Sequence, residues 1–456
     1  MRAGQGLMSQ RREACVLGSE RLEETNPAGS PLELIASRST VRTSLSKALT
    51  LAVEHPATAI GTAAAAIRSG CIAVLLLSSR NVTFSDERQY IELSAAVSAG
   101  RSAESYQPGY GQSLYNETRP FSATLARLFD IFGPSRWTGQ LLATSCAVGV
   151  AVLTVCIARS LGLSSKAVLL SGAIVAFLPS QVIWSSTVLR ESMVWLGITL
   201  VAYGIIELPG AKRSRVLIPA LCSGSGLLLV CGLRPLTGVV TIWAFALAVV
   251  VTWRHRLRLI LAGLAFASLA PLASGLGVAG SGFVARNMTE TTATRERLAV
   301  AADTALVSTP PLAMTPATPP AAVVLVASHA RAESVESSDD SSFGDGVLAV
   351  ALRPLPGEHA TSASNLLAQF EAPVWIALYA AAPFGVLLLW RRKDVGWVFP
   401  VMIVVGVLTS NALSQGNLGT AFRHRAQILW ALAVLAGGAY DWRHTWSEAK
   451  RSKLSN

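Results

Sequence analysis

Three clusters of ionisable residues stand out in a sequence otherwise poor in charge. The first is Ser85-Asp86-Glu87-Arg88-Gln89-Tyr90. Ser85 suits a helix N-cap, and acids in a first turn favour the helix dipole. Capping leaves chemistry open, because Asp86 at a membrane surface could take a proton from an incoming hydroxyl. The second cluster runs from Trp184 to Arg190 and Glu191. It reads either as a structural ion pair or as a functional one, since ionisable residues at span ends are costly. The third runs from Gly416 and Gly419 to Arg423, His424 and Arg425. These cations either snorkel to the interface or hold a phosphate, whose oxygens arginine binds bidentately. Gly416 and Gly419 favour an irregular segment, and in an extended segment Arg423 and Arg425 share one face while His424 points away.

The elements that must position these residues follow from composition. The 456 residues are 51% hydrophobic and only 14% charged, with a mean hydropathy of +0.46. Soluble domains carry about 25% charged residues, so this chain lacks the charge to cover a water-facing surface. Apolar runs of the roughly 20 residues needed to span a bilayer occur near 58–79, 138–158, 166–184, 192–207, 216–233, 236–253, 258–278, 373–390, 396–412 and 426–440. They predict an all-α, polytopic integral membrane protein of about ten transmembrane helices. The short loops assigned inside, with the C-terminal tail, hold fifteen Lys and Arg, from Arg159 to Lys453. The outer ones hold four: Arg190, Arg234, Arg423 and Arg425. That asymmetry places both termini in the cytoplasm and accounts for the net charge of +11 without nucleic acid.

The chain then divides into a polar cytoplasmic tail at 1–56 with the composition of disorder and a seven-helix module at 57–278. An extracytoplasmic loop at 279–372, three more helices at 373–440 and a basic cytoplasmic tail at 441–456 follow. The module contains an outer loop at 80–136, where Asp86–Val97 and Arg119–Phe132 read as surface helices. In the second, Phe121, Leu125, Leu128, Phe129 and Phe132 recur at helical spacing. The loop at 279–372 has a Pro- and Thr-rich stretch and an acid- and Ser-rich one, so parts of it read as disordered. Five of the six cysteines fall in apolar runs and Cys15 in the tail, which argues against disulfides and a Cys-ligated zinc. Gly275, Gly277 and Gly280 match a dinucleotide fingerprint but end an apolar run, where small residues serve packing.

Asp86, Glu87 and Tyr90, directly after the first span, resemble the start of the first outer loop in GT-C glycosyltransferases, multi-span enzymes that use polyprenyl- or dolichyl-phosphate sugars. The layout is similar too, with a second long loop after the seventh helix. The resemblance implies an inverting transferase in envelope glycan assembly at the plasma (inner) membrane. Asp86 would be its catalytic carboxylate and Glu87 and Tyr90 its neighbours. Glu191 matches by location a second acid that, with Asp86, holds a divalent metal such as Mg or Mn, although there is one Glu here and no Asp-x-Asp pair. The stretch at 416–425 resembles the Arg-rich segment of bacterial proteins linked to envelope polysaccharides, so Arg190, Arg423, His424 and Arg425 are expected on the lipid phosphate. The implied partners are a polyprenyl-phosphate sugar donor, an envelope glycan or lipid acceptor and the bilayer, with no organic cofactor and no nucleic acid. Two other classes compete. A polymerase or ligase on undecaprenyl-pyrophosphate glycans would need the basic stretch but not Asp86. A transporter would place polar residues near mid-membrane on repeated halves.

Overall fold

A computed structural model describes residues 50, 52–77, 85–107, 111–211, 213–252, 343–358, 363–392, 396–414 and 418–455. The chain divides into two units, Met1–Thr50 and Leu51–Asn456, and everything below concerns the second. The described residues are helical, with no strand among them. The N-terminal tail up to residue 49, the apolar run at 258–278, most of the 279–372 loop and the glycine fingerprint lie outside the described residues.

Helices α1 (Pro56–Leu77), α4 (Arg136–Ser160), α5 (Ser165–Phe177) and α7 (Glu191–Glu207) build the heart of the bundle, where α4 packs on α1, α5 and α7. Two amphipathic helices stand between α1 and α4. They are α2 (Ser85–Ser98) and α3 (Gly111–Phe132), packed on each other. Tyr90 and Leu93 of α2 meet Phe121, Leu125 and Phe129 of α3 in the core, while Phe132 remains exposed. The expected helix at Arg119–Phe132 therefore starts earlier. Pro120 lies inside it, and the buried Leu114 and Thr118 extend the packing face upstream of the proline.

The third apolar run is not one straight span. It breaks at Leu178 into α5 and the short α6 (Pro179–Ser185), bent by 54°. Pro179 cannot donate a backbone hydrogen bond and pushes the preceding residue out of the helical region; Leu178 accordingly adopts ψ 122°. Helices α8 (Leu217–Leu233) and α9 (Pro235–Thr252) follow. A Cβ on Gly226 of α8 would run into the carbonyl oxygen of Gly197 on α7, so this pair packs through its small residues as membrane helices do. The rest is α10 (Phe343–Leu352), α11 (Ala363–Arg391), α12 (Val398–Ser414), α13 (Leu418–Arg425) and α14 (Leu429–Ser455). Helix α14 continues through the segment expected to be a separate basic tail, because Asp441 is buried and accepts from Ser164 at the start of α5.

Three described helices are long and apolar enough to cross a membrane: Pro56–Leu77, Arg136–Ser160 and Asn365–Arg391. The bent pair makes a fourth if it is one span. Leu217–Leu233, Pro235–Val251 and Val398–Ala412 are shorter apolar helices. The chain is a helical membrane protein.

Candidate functional site

The site forms where α2 begins, where α6 gives way to α7, where α8 gives way to α9, and on α13. Asp86 lies in the first turn of α2. Its Oδ2 accepts from Arg423 Nη1 at 2.8 Å, and its side chain stays 41% exposed. A carboxylate that is both oriented and open can meet an incoming hydroxyl. The Arg423 guanidinium also lies 4.9 Å over the Trp184 ring. Burial works against its charge, but Glu191 and Asp86 outweigh burial and hold Arg423 more firmly protonated than usual.

Glu191 begins α7, and its Oε1 accepts from Arg234 Nη2 at 2.7 Å. Arg234 also contacts Nε2 of His424, whose Nδ1 is 2.5 Å from Asn411 Oδ1. An arginine cannot accept and an amide oxygen cannot donate, so His424 carries its proton on Nδ1. Burial first, then Arg234, Arg190 and Arg423, hold this imidazole well below the ordinary histidine pKa. It is neutral and acts as an acceptor. Arg190 Nη1 donates to the carbonyl oxygens of Glu117 and Leu233, both at 3.2 Å. Tyr90 is buried and packs edge-to-face on Phe121 at 5.4 Å. Burial pushes its phenol up to about 12; Arg190 pulls the other way, while Glu191 and Asp86 add to the rise. The phenol therefore stays protonated and able to donate.

Asp86, Tyr90, Arg190, Glu191 and Arg423 thus converge. Glu87 faces away from them. Its side chain is fully buried, accepting from Arg136 Nε at 2.9 Å, Arg136 Nη2 at 3.1 Å and the Val188 amide at 3.1 Å. It ties α2 to the start of α4 and to the turn before α7, and so positions Asp86. The basic stretch is also rearranged. Residues 418–425 are helical, not extended, so Arg423, His424 and Arg425 leave α13 in three directions. Arg425 lies over Trp375 and Phe422, whereas Arg423 lies over Trp184. Asp86 and Glu191 are each paired with a guanidinium, and among the described residues no group of three or more His, Cys, Asp and Glu could hold an ion.

Three residues absent from the expected site prove important. Arg234 supplies the partner of both Glu191 and His424. Arg68, interrupting α1, donates Nε to Ser185 Oγ at 2.7 Å and Nη1 to the Ala176 carbonyl at 3.0 Å. Glu371 of α11 accepts from the amide and hydroxyl of Ser180. A lone ionisable residue inside an apolar run was the available signal for Arg68.

No family model matches the sequence, and no curated protein matches it. Among solved structures, the chain is similar to the crystal structure of ArnT from Cupriavidus metallidurans bound to undecaprenyl phosphate, with a TM-score of 0.48 and 13% sequence identity. The match covers 82% of this chain, which spans 60% of that one. The likeness is one of fold.

Proposed function

We propose that the protein is a membrane glycosyltransferase of the GT-C type that moves a sugar from a polyprenyl-phosphate donor to an acceptor hydroxyl during envelope glycan assembly. One observation carries the reading. Asp86 is an accessible carboxylate held by Arg423 beside further guanidinium groups, at the edge of an apolar helical bundle. Asp86 takes the proton from the acceptor hydroxyl as that oxygen attacks the anomeric carbon with inversion. The bond to the donor phosphate breaks, and the phosphate leaves as an anion that needs no proton. Its charge is met electrostatically by Arg190 and Arg234, whose buried Nε atoms have no hydrogen-bond partner among the described residues. Glu191 holds Arg234 in place.

The test is sugar transfer by Asp86→Asn. The amide keeps the size of the side chain and can still accept from Arg423, but it is no base. Loss of a general base costs about 10²–10⁴-fold, and that range is expected, with membrane insertion unchanged. Near-normal turnover would sink the reading and favour the polymerase or ligase, which does not need Asp86.

A further inference from the structure

Helix α13 spans only eight residues, Leu418–Arg425. Helices shorter than about 12 residues are not stable on their own in water. Neighbouring elements must therefore fix where α13 sits and where its side chains point. Two tryptophans do so. Trp184 of α6 receives the Arg423 guanidinium, whose carbon lies 4.9 Å from the ring centroid, and meets Phe422 edge-on at 6.4 Å. Trp375 of α11 receives Arg425, with 4.6 Å from guanidinium carbon to ring centroid. Residues two apart on a helix point about 200° apart, so the two arginines seat α13 between α6 and α11.

Arg425 is the deeper of the two. Fully buried, it packs on Phe422 at 5.0 Å and donates Nη1 to the Ala351 carbonyl at 2.9 Å. That carbonyl belongs to the last turn of α10. The last four carbonyls of a helix have no partner within it, and a cation suits that end of the dipole. Trp375 is itself fully buried, and its Nε1 donates to Glu371 Oε2 at 3.4 Å, which orients the ring that receives Arg425. Glu371 also supplies an opposing charge to Arg425. A guanidinium with no accessible surface has none to offer a substrate. Arg423, on the opposite side of α13, reaches Asp86 Oδ2 at 2.8 Å.

We infer that Arg425 is a positioning residue: locked onto Trp375 and the end of α10, it fixes the rotation of α13 and so aims Arg423 at Asp86. A planar guanidinium stacked on a ring and hydrogen-bonded at its tip has one orientation, and a helix this short turns as a unit. The pairing of Asp86 with Arg423 thus depends on a side chain on the far face of the helix. The inference rests on the transferase reading only for its effect on sugar transfer.

Carbodiimide labelling of the intact purified protein, with Asp86 followed by mass spectrometry, reads that pairing without any assay of transfer. A carboxylate held by a guanidinium reacts slowly. Arg425→Met keeps length and packing but loses the charge and the hydrogen bond, and should speed labelling of Asp86 about threefold or more. Arg423→Gln should do the same. The double variant should react no faster than Arg423→Gln, because Arg425 acts only through Arg423. Asp441, buried against Ser164, should stay unreactive throughout, which separates local release from unfolding. Trp375→Phe, a milder change that weakens the cation–π contact, should shift Asp86 in the same direction and decides the matter if Arg425→Met unfolds. The proposal is overturned if Asp86 labels at the parent rate in the folded variants, or if the double variant exceeds Arg423→Gln. In transfer assays Arg425→Met should lower kcat, and a raised donor KM at unchanged kcat would also overturn it. Asp86→Asn tests the transferase reading separately, so either can fail alone.

Discussion

A single proton on His424 organises the charged side chains behind Asp86. With the proton on Nδ1 toward Asn411, Nε2 is left to accept from Arg234, which in turn holds Glu191. Protonating Nε2 would set an imidazolium against Arg234, and burial already disfavours that charge. The folded-state pKa is therefore depressed below the ordinary histidine value of about 6.5, while the unfolded chain titrates near that value. Below about pH 6.5 the unfolded state binds more protons, so stability falls with pH by at most about 1.4 kcal/mol per unit until the folded pKa is reached. Above that window the contribution is complete. Thermal unfolding in detergent between pH 7.5 and 5 should show the parent losing stability more steeply than His424→Gln. Equal slopes would mean that His424 is not held neutral. The acids and most of the basic residues of this site were legible because each lies at the end of an apolar run on one side of the topology. Their division of labour was not. Glu87 and Asp86 are neighbours in sequence, yet a helical turn points one into the core toward Arg136 and leaves the other open.

Prolines account for most of the distance between the expected and observed elements. Pro179 splits one apolar run into α5 and α6, Pro120 lies within α3, and Pro373 and Pro383 lie within α11. Hydropathy alone does not register them. The break at Leu178 leaves orphan carbonyls at the ends of the two pieces and orphan amides at the start of the second, which apolar surroundings would make costly. Side chains from three other helices meet them. Arg68 donates to the Ala176 carbonyl, Gln140 and Thr144 donate to the Ser186 and Ser185 carbonyls, and Glu371 accepts from the Ser180 amide. A cation thus sits at the carboxyl end of α5 and an anion at the amino end of α6, the signs the helix dipoles favour. Trp184, on which Arg423 stacks, belongs to α6, so the break fixes one wall of the site. The Glu371 carboxylate accepts from three donors, the Ser180 amide, Ser180 Oγ and Trp375 Nε1, so Glu371→Gln turns an amide NH₂ toward at least one of them and should cost about 1–3 kcal/mol of stability. Chemical denaturation in mild detergent would measure it. Unfolding identical to the parent's would show that the carboxylate does not secure the break.

Across the whole molecule, polar contacts gather at two ends of the bundle. At one end lie the start of α2, the start of α4, the turn between α6 and α7, the turn between α8 and α9, and α13, all joined through the site's ion pairs. At the other, Ser160 meets Glu207, Arg392 donates to the Gly162 carbonyl at 3.0 Å, Ser164 donates to Asp441, and Arg391 lies 4.5 Å over Trp442. Between them α1 and α4, of 22 and 25 residues, rise about 33–37 Å at 1.5 Å per residue, enough for a hydrocarbon core of about 30 Å. We propose that the end with Arg159, Lys166, Arg391 and Arg392 faces the cytoplasm, because basic short loops stay inside. On that proposal the Asp86 end would be extracytoplasmic, where a sugar already mounted on a lipid phosphate needs no nucleotide. Single-cysteine variants test the scheme. Ser102→Cys, in an exposed position beyond α2, should react with a membrane-impermeant maleimide on intact cells. Ser447→Cys, near the far end of α14, should react only after permeabilisation. Reversed labelling would put Asp86 on the cytoplasmic side and remove the extracytoplasmic donor from the mechanism, whereas labelling of both from outside would contradict the two-ended bundle itself.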